Sequence, residues 1–149
     1  MEYRTEEVGE RLERALQRLL EYDSYLLEQN LNERSISHKL AVHLGDEFPE
    51  WDVDCEYNRE FDRVKRVDIE VPDPSADDTE AKTVYPDIIV HQRNEEDNLL
   101  VVEVKKSNNT DSGEYDIRKL EAFQRDLNYR NAYFVMINVH EIGYEMREQ

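Results

Sequence analysis

The sequence contains little cysteine, glycine and histidine, and it lacks a long apolar run. Cys55 is the one cysteine among 149 residues, which excludes a disulfide framework within the chain and fits a reducing compartment. Four glycines form no glycine-rich phosphate loop, and the four histidines lack the spacing of a zinc site. No apolar run approaches the length of a membrane span, and the acidic N-terminus lacks the apolar segment of a signal peptide. The sequence therefore predicts a soluble, cytoplasmic protein without a membrane partner.

Basic residues are also scarce. Lysine and arginine number 19 against 36 aspartates and glutamates, so the formal net charge is −17. Such a charge disfavours binding of nucleic acid through the overall electrostatic field. Three explanations that still allow a nucleic-acid partner stay open: a local basic groove, a protein partner that supplies basic surface, or a salt-rich source. Arginine outnumbers lysine, which fits the salt-rich source, and destabilisation of the protein by molar KCl would contradict it.

The length of the chain predicts one domain with its own core. Residues 1–29 are expected to form an amphipathic helix, which either covers the core or contacts a partner. Its apolar positions recur at helical spacing. They are Val8, Leu12, Ala15, Leu16, Leu19, Tyr22 and Leu26.

The rest of the chain alternates between helical and extended patterns. Residues 30–139 form the predicted core: a helix from Asn30 or Asn32 to about Phe48, then a strand over residues 51–58. A further extended piece through Ile69 is expected to form a hairpin with that strand. Residues 71–83 form an acidic, proline-containing loop. After it come two strands within residues 85–106, a helix over residues 114–129 and a buried strand over residues 132–139, parallel to the strand before that helix.

The two strands within residues 85–106 carry charges in apolar surroundings. The alternation of side chains places Leu99, Val101, Glu103 and Lys105 on one face, and Leu100, Val102 and Val104 on the other. A short loop returns the chain beside Asp87, which shares a face with Ile89. Two carboxylates and a lysine are thereby predicted to converge, and clustered oxygen ligands suit Mg²⁺.

At these residues the chain resembles the PD-(D/E)xK nuclease superfamily. Pro86-Asp87 resembles the PD element, and Glu103-Val104-Lys105 resembles ExK in the following strand. The resemblance implies a restriction-endonuclease-like α/β (α+β) core, with a mixed sheet of four to five strands flanked by helices and an extra N-terminal helix. It also implies a Mg²⁺- or Mn²⁺-dependent endonuclease that hydrolyses phosphodiester bonds, most simply in DNA.

The resemblance further implies roles for particular residues. Asp87, Glu103 and the backbone carbonyl of Val104 would bind the metal, and Lys105 would orient or deprotonate a water or stabilise developing charge. Glu33 has two interpretations: it caps the second helix through the helix dipole, or it joins the metal site as glutamates on that helix do in the family.

Six basic residues are candidates for contacting nucleic acid. The candidate contacts are Arg59, Arg63, Lys65, Arg66, Lys106 and Lys119. Lys119 is interpreted either as a residue that reaches the scissile region or as ordinary surface of an amphipathic helix. The alternative to catalysis is a satisfied ion-pair network of Asp87, Glu103 and Lys105, in an inactive nuclease-fold module that works with a protein partner. A homodimer is an open alternative to a monomer, because cutting both strands of a duplex favours two sites.

Overall fold

The computed structural model describes most of the chain. The described residues are 3–29, 31–55, 67–69, 82–84, 86–93, 95, 97–107, 113–138 and 141–149. The candidate contacts Arg59, Arg63, Lys65 and Arg66, and most of the predicted loop at 71–83, lie outside these ranges.

Three helices form where the sequence has amphipathic patterns. They are α1 (Thr5–Glu28), α2 (Glu33–Glu47) and α3 (Glu114–Leu127). Asn32 caps α2, since its side-chain oxygen accepts a hydrogen bond of 2.8 Å from the Ser35 backbone N–H. Helix α3 ends at Asn128, whose φ of 57° is the left-handed conformation that commonly terminates helices.

Five strands form one mixed sheet in the order β1-β4-β5-β6-β7. These strands are β1 (Asp52–Cys55), β4 (Ile88–Gln92), β5 (Asp97–Lys106), β6 (Asn131–Asn138) and β7 (Gly143–Glu148). Strands β5 and β6 are parallel, and the other neighbouring pairs are antiparallel. A separate two-stranded ribbon pairs β2 (Val67–Ile69) with β3 (Lys82–Val84). The predicted mixed sheet flanked by helices, and the parallel β5–α3–β6 unit, are confirmed at this level.

The sheet is buried on both faces. Helices α1 and α2 pack with Leu100, Val102 and Val104 on one face. Helix α3 packs with Ile89 and Val101 on the other. The predicted alternation is therefore confirmed for these positions. Leu99 is the exception, because the β4–β5 pairing shifts between Val90 and His91, and Leu99 packs into the cluster of α1 and α2.

Several predictions about pairing and ends are wrong. Within the described residues, β1 pairs with β4 and not with Val67–Ile69, which pairs as β2 with β3. Lys82 and Thr83 therefore belong to a strand and not to the loop. Strand β7 lies in the tail, where no strand was predicted, because its half-exposed polar positions hide the pattern of an edge strand.

The predicted apolar stripe of α1 also needs correction at its C-terminal end. Tyr22 is 70% exposed, and Leu26 is half-buried, whereas Leu27 is buried. The earlier positions of the stripe, from Val8 to Leu19, lie in the core. In the last turn of α1 the buried position is therefore Leu27 and not Leu26. Tyr22 is mostly exposed, with its ring stacked on His43.

A buried charged cluster joins β1 to β4. His91 is fully buried, and its Nε2 lies 2.6 Å from Oδ2 of Asp54. The Arg93 guanidinium contacts both oxygens of the same carboxylate, at 3.0 and 2.6 Å. Burial by itself raises the pKa of Asp54, but the hydrogen bonds from His91 and Arg93 outweigh burial and lower that pKa to about 2.

Asp54→Asn is expected to reduce the free energy of unfolding by about 2 kcal/mol at neutral pH. This estimate follows from the pKa of Asp54, which is lowered from 3.8 to about 2 in the folded protein. A lowered folded-state pKa stabilises the fold above the unfolded-state pKa, and this contribution disappears as pH falls from about 4 to about 2. Urea unfolding of both proteins from pH 6 to pH 2.5 measures the difference. Asp126→Asn, which removes an exposed carboxylate paired with Arg125, serves as the control. A difference between wild type and Asp54→Asn that is constant with pH would contradict this assignment.

Candidate active site

Asp87 and Glu103 lie at the adjoining ends of neighbouring antiparallel strands. The β4–β5 ladder begins with the pair of Ile88 and Val102, so Asp87 precedes β4 at the level where β5 reaches Glu103. Both side chains belong to the sheet face that α3 covers, as the positions of Ile89 and Val101 show. The predicted side-by-side arrangement of the two strands is confirmed.

The two acidic residues contact each other's segments directly. The Asp87 backbone N–H donates to Oε2 of Glu103 at 3.2 Å. In return, Oδ2 of Asp87 accepts a hydrogen bond of 2.8 Å from the Val104 backbone N–H. Each carboxylate is thus held by the strand that carries the other one, which fixes both of them at the same edge of β5.

Glu33 reaches the same edge of β5 from the opposite face of the sheet. Its Oε2 accepts a hydrogen bond of 2.8 Å from the Lys106 backbone N–H. In a strand, the N–H and C=O of one residue point to the same side. The carbonyl of Val104 therefore points to the edge of β5 where Asp87 and Glu33 accept their hydrogen bonds. It lies between the Val104 and Lys106 N–H groups, which are about 6–7 Å apart along the strand.

Two lysines complete the cluster, and α3 supplies one of them. Nζ of Lys119 lies 2.7 Å from Oε1 of Glu103, and Nζ of Lys105 lies 2.8 Å from Oδ2 of Asp116. Asp116 and Lys119 are three positions apart, so they lie on the same face of α3. The two ion pairs connect the helix to the charged end of β5.

Gly113 sets where α3 begins and therefore where these two side chains lie. Its φ is +81°, a conformation that favours glycine. A Cβ at this position would lie 2.9 Å from the ring of Phe134 on β6. A larger residue here would strain the backbone and displace the first turn of α3, which carries Asp116.

Burial raises the energy of the charges in this cluster. Glu103 is fully buried, and Lys105 is only 4% exposed. Burial raises the pKa of Glu103 well above its usual range, and the negative charge of Asp87 raises it further, while Lys119 partly opposes both. Burial also raises the pKa of Asp116, against the lowering effect of Lys105. For Lys119, burial favours the neutral form, but the surrounding carboxylates outweigh it and raise the pKa.

The donor set at this edge suits a hard divalent cation that keeps part of its water shell. Within the described ranges, no three acidic, histidine or cysteine side chains are grouped so as to hold a metal ion by themselves. Mg²⁺ typically takes one or two carboxylates together with waters and substrate phosphate, and Asp87 and Glu103 provide two. Oε1 of Glu103 is buried and, although Lys119 is close, no described donor meets it at a hydrogen-bonding angle. A divalent cation at this oxygen would take the place of the Lys119 ammonium, which lies 2.7 Å from it.

The structure brings Asp87, Glu103, Lys105 and Glu33 to one end of β5, and their roles in metal binding and catalysis stay predictions. Lys106 contributes its backbone N–H to the same edge. Lys119 is buried in the cluster, so its interpretation as ordinary helix surface is wrong. Sequence reasoning missed Asp116. Its spacing of three from Lys119 was a usable signal, because an acid and a lysine on one face of a helix after the ExK strand can contact the same strand.

Comparisons with known proteins add no assignment. No protein-family model, curated protein or solved structure matches the chain. Among the described residues, none of the helices has the length and apolar character needed to cross a membrane.

Proposed function

We propose that the protein is a metal-dependent nuclease that hydrolyses phosphodiester bonds, most simply those of DNA. One observation carries this proposal: the carboxylates of Asp87 and Glu103 are held together at one edge of β5, beside the Val104 carbonyl and the buried Lys105. Buried charge is seldom retained for stability alone, because apolar replacements often stabilise equally well. A cluster of this composition, kept in the core of a small domain, therefore supports a chemical role.

Each residue has a role that follows from its chemistry. A bound Mg²⁺ or Mn²⁺ supplies a water of lowered pKa and offsets negative charge on the phosphoryl group. Asp87 and Glu103 hold that cation, and the Val104 carbonyl adds a neutral ligand from the strand edge. Lys105 orients the attacking water or stabilises the charge that develops on the phosphoryl oxygens.

Lys119 and Glu33 assist in different ways. Lys119 offsets part of the charge of Glu103 before a metal binds, which partly opposes the rise in pKa that burial causes for this carboxyl group. Glu33 accepts a hydrogen bond from the Lys106 N–H and so keeps the end of β5 in place.

Calorimetric titration of Mn²⁺ and Mg²⁺ is the first test, because it needs no knowledge of the substrate. The wild-type protein is expected to bind either ion, and folded Asp87→Ala and Glu103→Ala variants are expected to lose that binding. Asp126→Ala, which removes an exposed carboxylate of α3 away from the cluster, is the matched control and should bind as the wild type does.

Two results would count against the metal site. Equal binding by the wild type and by both site variants would place the ion elsewhere on the acidic surface. Absence of binding by the wild type, both alone and with an uncleavable phosphorothioate oligonucleotide present, would remove the site altogether.

The second candidate function is a catalytically inactive binding module of the same fold. The specific observation in its favour is that both buried lysines already have carboxylate partners, Lys105 with Asp116 and Lys119 with Glu103. The net charge of −17 then reflects a basic protein partner. Absence of metal binding, together with unchanged stability in millimolar Mg²⁺, would favour this function over the nuclease.

A further inference from the structure

A pocket lies where α1 turns into α2, apart from the carboxylate cluster. Its volume is about 430 Å³, within the range of roughly 300–1,000 Å³ that is usual for small-molecule sites. Two apolar side chains and four polar ones line it: Leu26, Leu31, Arg34, Ser35, His38 and Lys39. An apolar surface beside basic groups suits a ligand that has a flat apolar part and an anionic part.

Arg34 and Lys39 differ from most basic side chains in the described part of the chain. Basic side chains elsewhere in the described ranges mostly form ion pairs with acidic side chains, as Arg14, Arg93 and Arg130 do. Arg34 and Lys39 have no ion-pair partner among the described residues, although the chain contains 36 acidic residues. A local pair of uncompensated cations attracts an anion that the overall charge of the protein repels.

The pocket adjoins the candidate active site through α2. Arg34 directly follows Glu33, whose carboxylate contacts the end of β5. Residues 33 and 39 are about 9 Å apart along a helix with a rise of 1.5 Å per residue. Stacked nucleotides are spaced by about 3.4 Å along one strand, so the length of α2 from residue 33 to residue 39 corresponds to roughly three nucleotide steps.

Two exposed aromatic residues precede the pocket on α1, although neither is among its lining residues. Tyr22 is 70% exposed and Tyr25 is 67% exposed. Tyr22 lies one helical turn before Leu26, and Tyr25 directly precedes Leu26 in the sequence. Nucleic-acid bases stack on such rings when they are not paired, at sites that also carry basic groups for the backbone. A base inside a duplex cannot present its face in this way.

We propose that this pocket binds an unpaired nucleotide of the substrate strand. The base lies against Leu26 and Leu31, and the phosphate lies at Arg34 and Lys39. The inference rests on the proposed nuclease function for the identity of the ligand, and it extends that function to a substrate class: single-stranded nucleic acid, or a duplex with an unpaired end.

Fluorescence anisotropy without divalent metal tests the pocket separately from catalysis. The probe is a fluorescein-labelled oligothymidylate of about 12 nucleotides, a length within single-strand site sizes. The wild type is expected to bind it more tightly than a duplex of equal length. The Arg34→Glu/Lys39→Glu variant is expected to bind at least about tenfold more weakly and to reduce the salt dependence of log Kd by about 1.4, or about 0.7 for each lost phosphate contact.

A second charge-reversed variant controls for the overall field. Arg4→Glu/Arg125→Glu lowers the net charge by the same amount, at exposed positions away from the pocket. It is expected to retain most of the affinity of the wild type. Equal losses in the two double variants would overturn the inference, because the effect would then be that of net charge alone.

A third variant tests whether binding requires the open volume of the pocket. Ser35→Trp fills the pocket without changing charge, and it is expected to abolish the preference for the single strand while the melting temperature stays close to that of the wild type. Equal or tighter binding of the duplex by the wild type, absence of binding, or tighter binding of a polyglutamate peptide would each overturn the inference. Because none of these measurements requires metal, they leave the titration of Asp87 and Glu103 as an independent test of the nuclease.

Discussion

Lys105→Ala is expected to lower the rate of phosphodiester cleavage by about 10²–10⁴-fold, the usual contribution of a positioned acid–base group. Metal binding is expected to persist, because the carboxylates of Asp87 and Glu103 remain in place. The side chain is 4% exposed and lies on the sheet face that carries Glu103. Its charge therefore acts in a poorly hydrated environment, where electrostatic stabilisation of a transition state is large. Single-turnover cleavage of labelled DNA at saturating Mg²⁺ measures the effect.

The adjacent lysine provides the matched control. Lys106→Ala removes a charge of the same type one residue further along β5, while the backbone N–H that contacts Glu33 remains. This variant is expected to weaken substrate binding modestly and to leave the cleavage rate of bound substrate within about threefold, since a phosphate contact contributes to affinity and not to chemistry. Equal losses of single-turnover rate in the two variants would remove Lys105 from its assigned role.

Lys119→Met is expected to reduce the free energy of unfolding by about 3–5 kcal/mol, the usual cost of removing one partner of a buried ion pair. The reason is the fully buried Glu103 carboxylate, whose charge Lys119 balances at 2.7 Å. Without that ammonium group, Glu103 must either stay ionised in an apolar environment or take up a proton. Urea unfolding at several pH values measures both the loss and its dependence on pH.

The sign of the pH dependence follows from the raised pKa of Glu103. Loss of Lys119 raises this folded-state pKa further above its ordinary value of 4.5. An acid whose folded-state pKa is raised destabilises the fold increasingly as pH rises above the unfolded-state value. The defect of Lys119→Met is therefore expected to be small near pH 4.5 and to grow towards pH 8.

Two further variants separate this explanation from a general effect on α3. Arg125→Met removes an exposed pair with Asp126 on the same helix and should change stability by at most about 1 kcal/mol. Lys119→Met combined with Glu103→Gln removes both charges and should recover much of the lost stability. A double variant as unstable as Lys119→Met alone would show that packing of the lysine, and not its charge, supports the fold.

Much of the core could be predicted because its pattern is local. The apolar run of β5 interrupted by Glu103 and Lys105 already places both charges on the face of Val101, since alternate side chains of a strand share a face. The short polar loop before it favours antiparallel pairing with the strand after Asp87. The helix α3 and the parallel strand β6 follow from equally clear periodicity, with ends misplaced by one or two residues.

The remaining features depend on contacts between distant parts of the chain. The pairing of β1 with β4, which sets Asp54 opposite Ile89, was not predicted. The apolar pattern of a four-residue strand is compatible with several partner strands, so it does not select one. The exposure of Tyr22 was missed for a related reason: apolar spacing shows a stripe, but it does not show where the sheet beneath the helix ends.

The sequence by itself determined which residues carry charge on the buried strand and which face they occupy, because the backbone geometry of a strand fixes alternation. Only the tertiary structure decided what meets those charges. Asp116 and Lys119 reach Lys105 and Glu103 because α3 packs across the sheet in one orientation, and Glu33 reaches the edge of β5 because α2 packs on the other face. Packing of whole elements minimises the free energy of many contacts together, so the partners of a buried charge do not follow from the pattern around it.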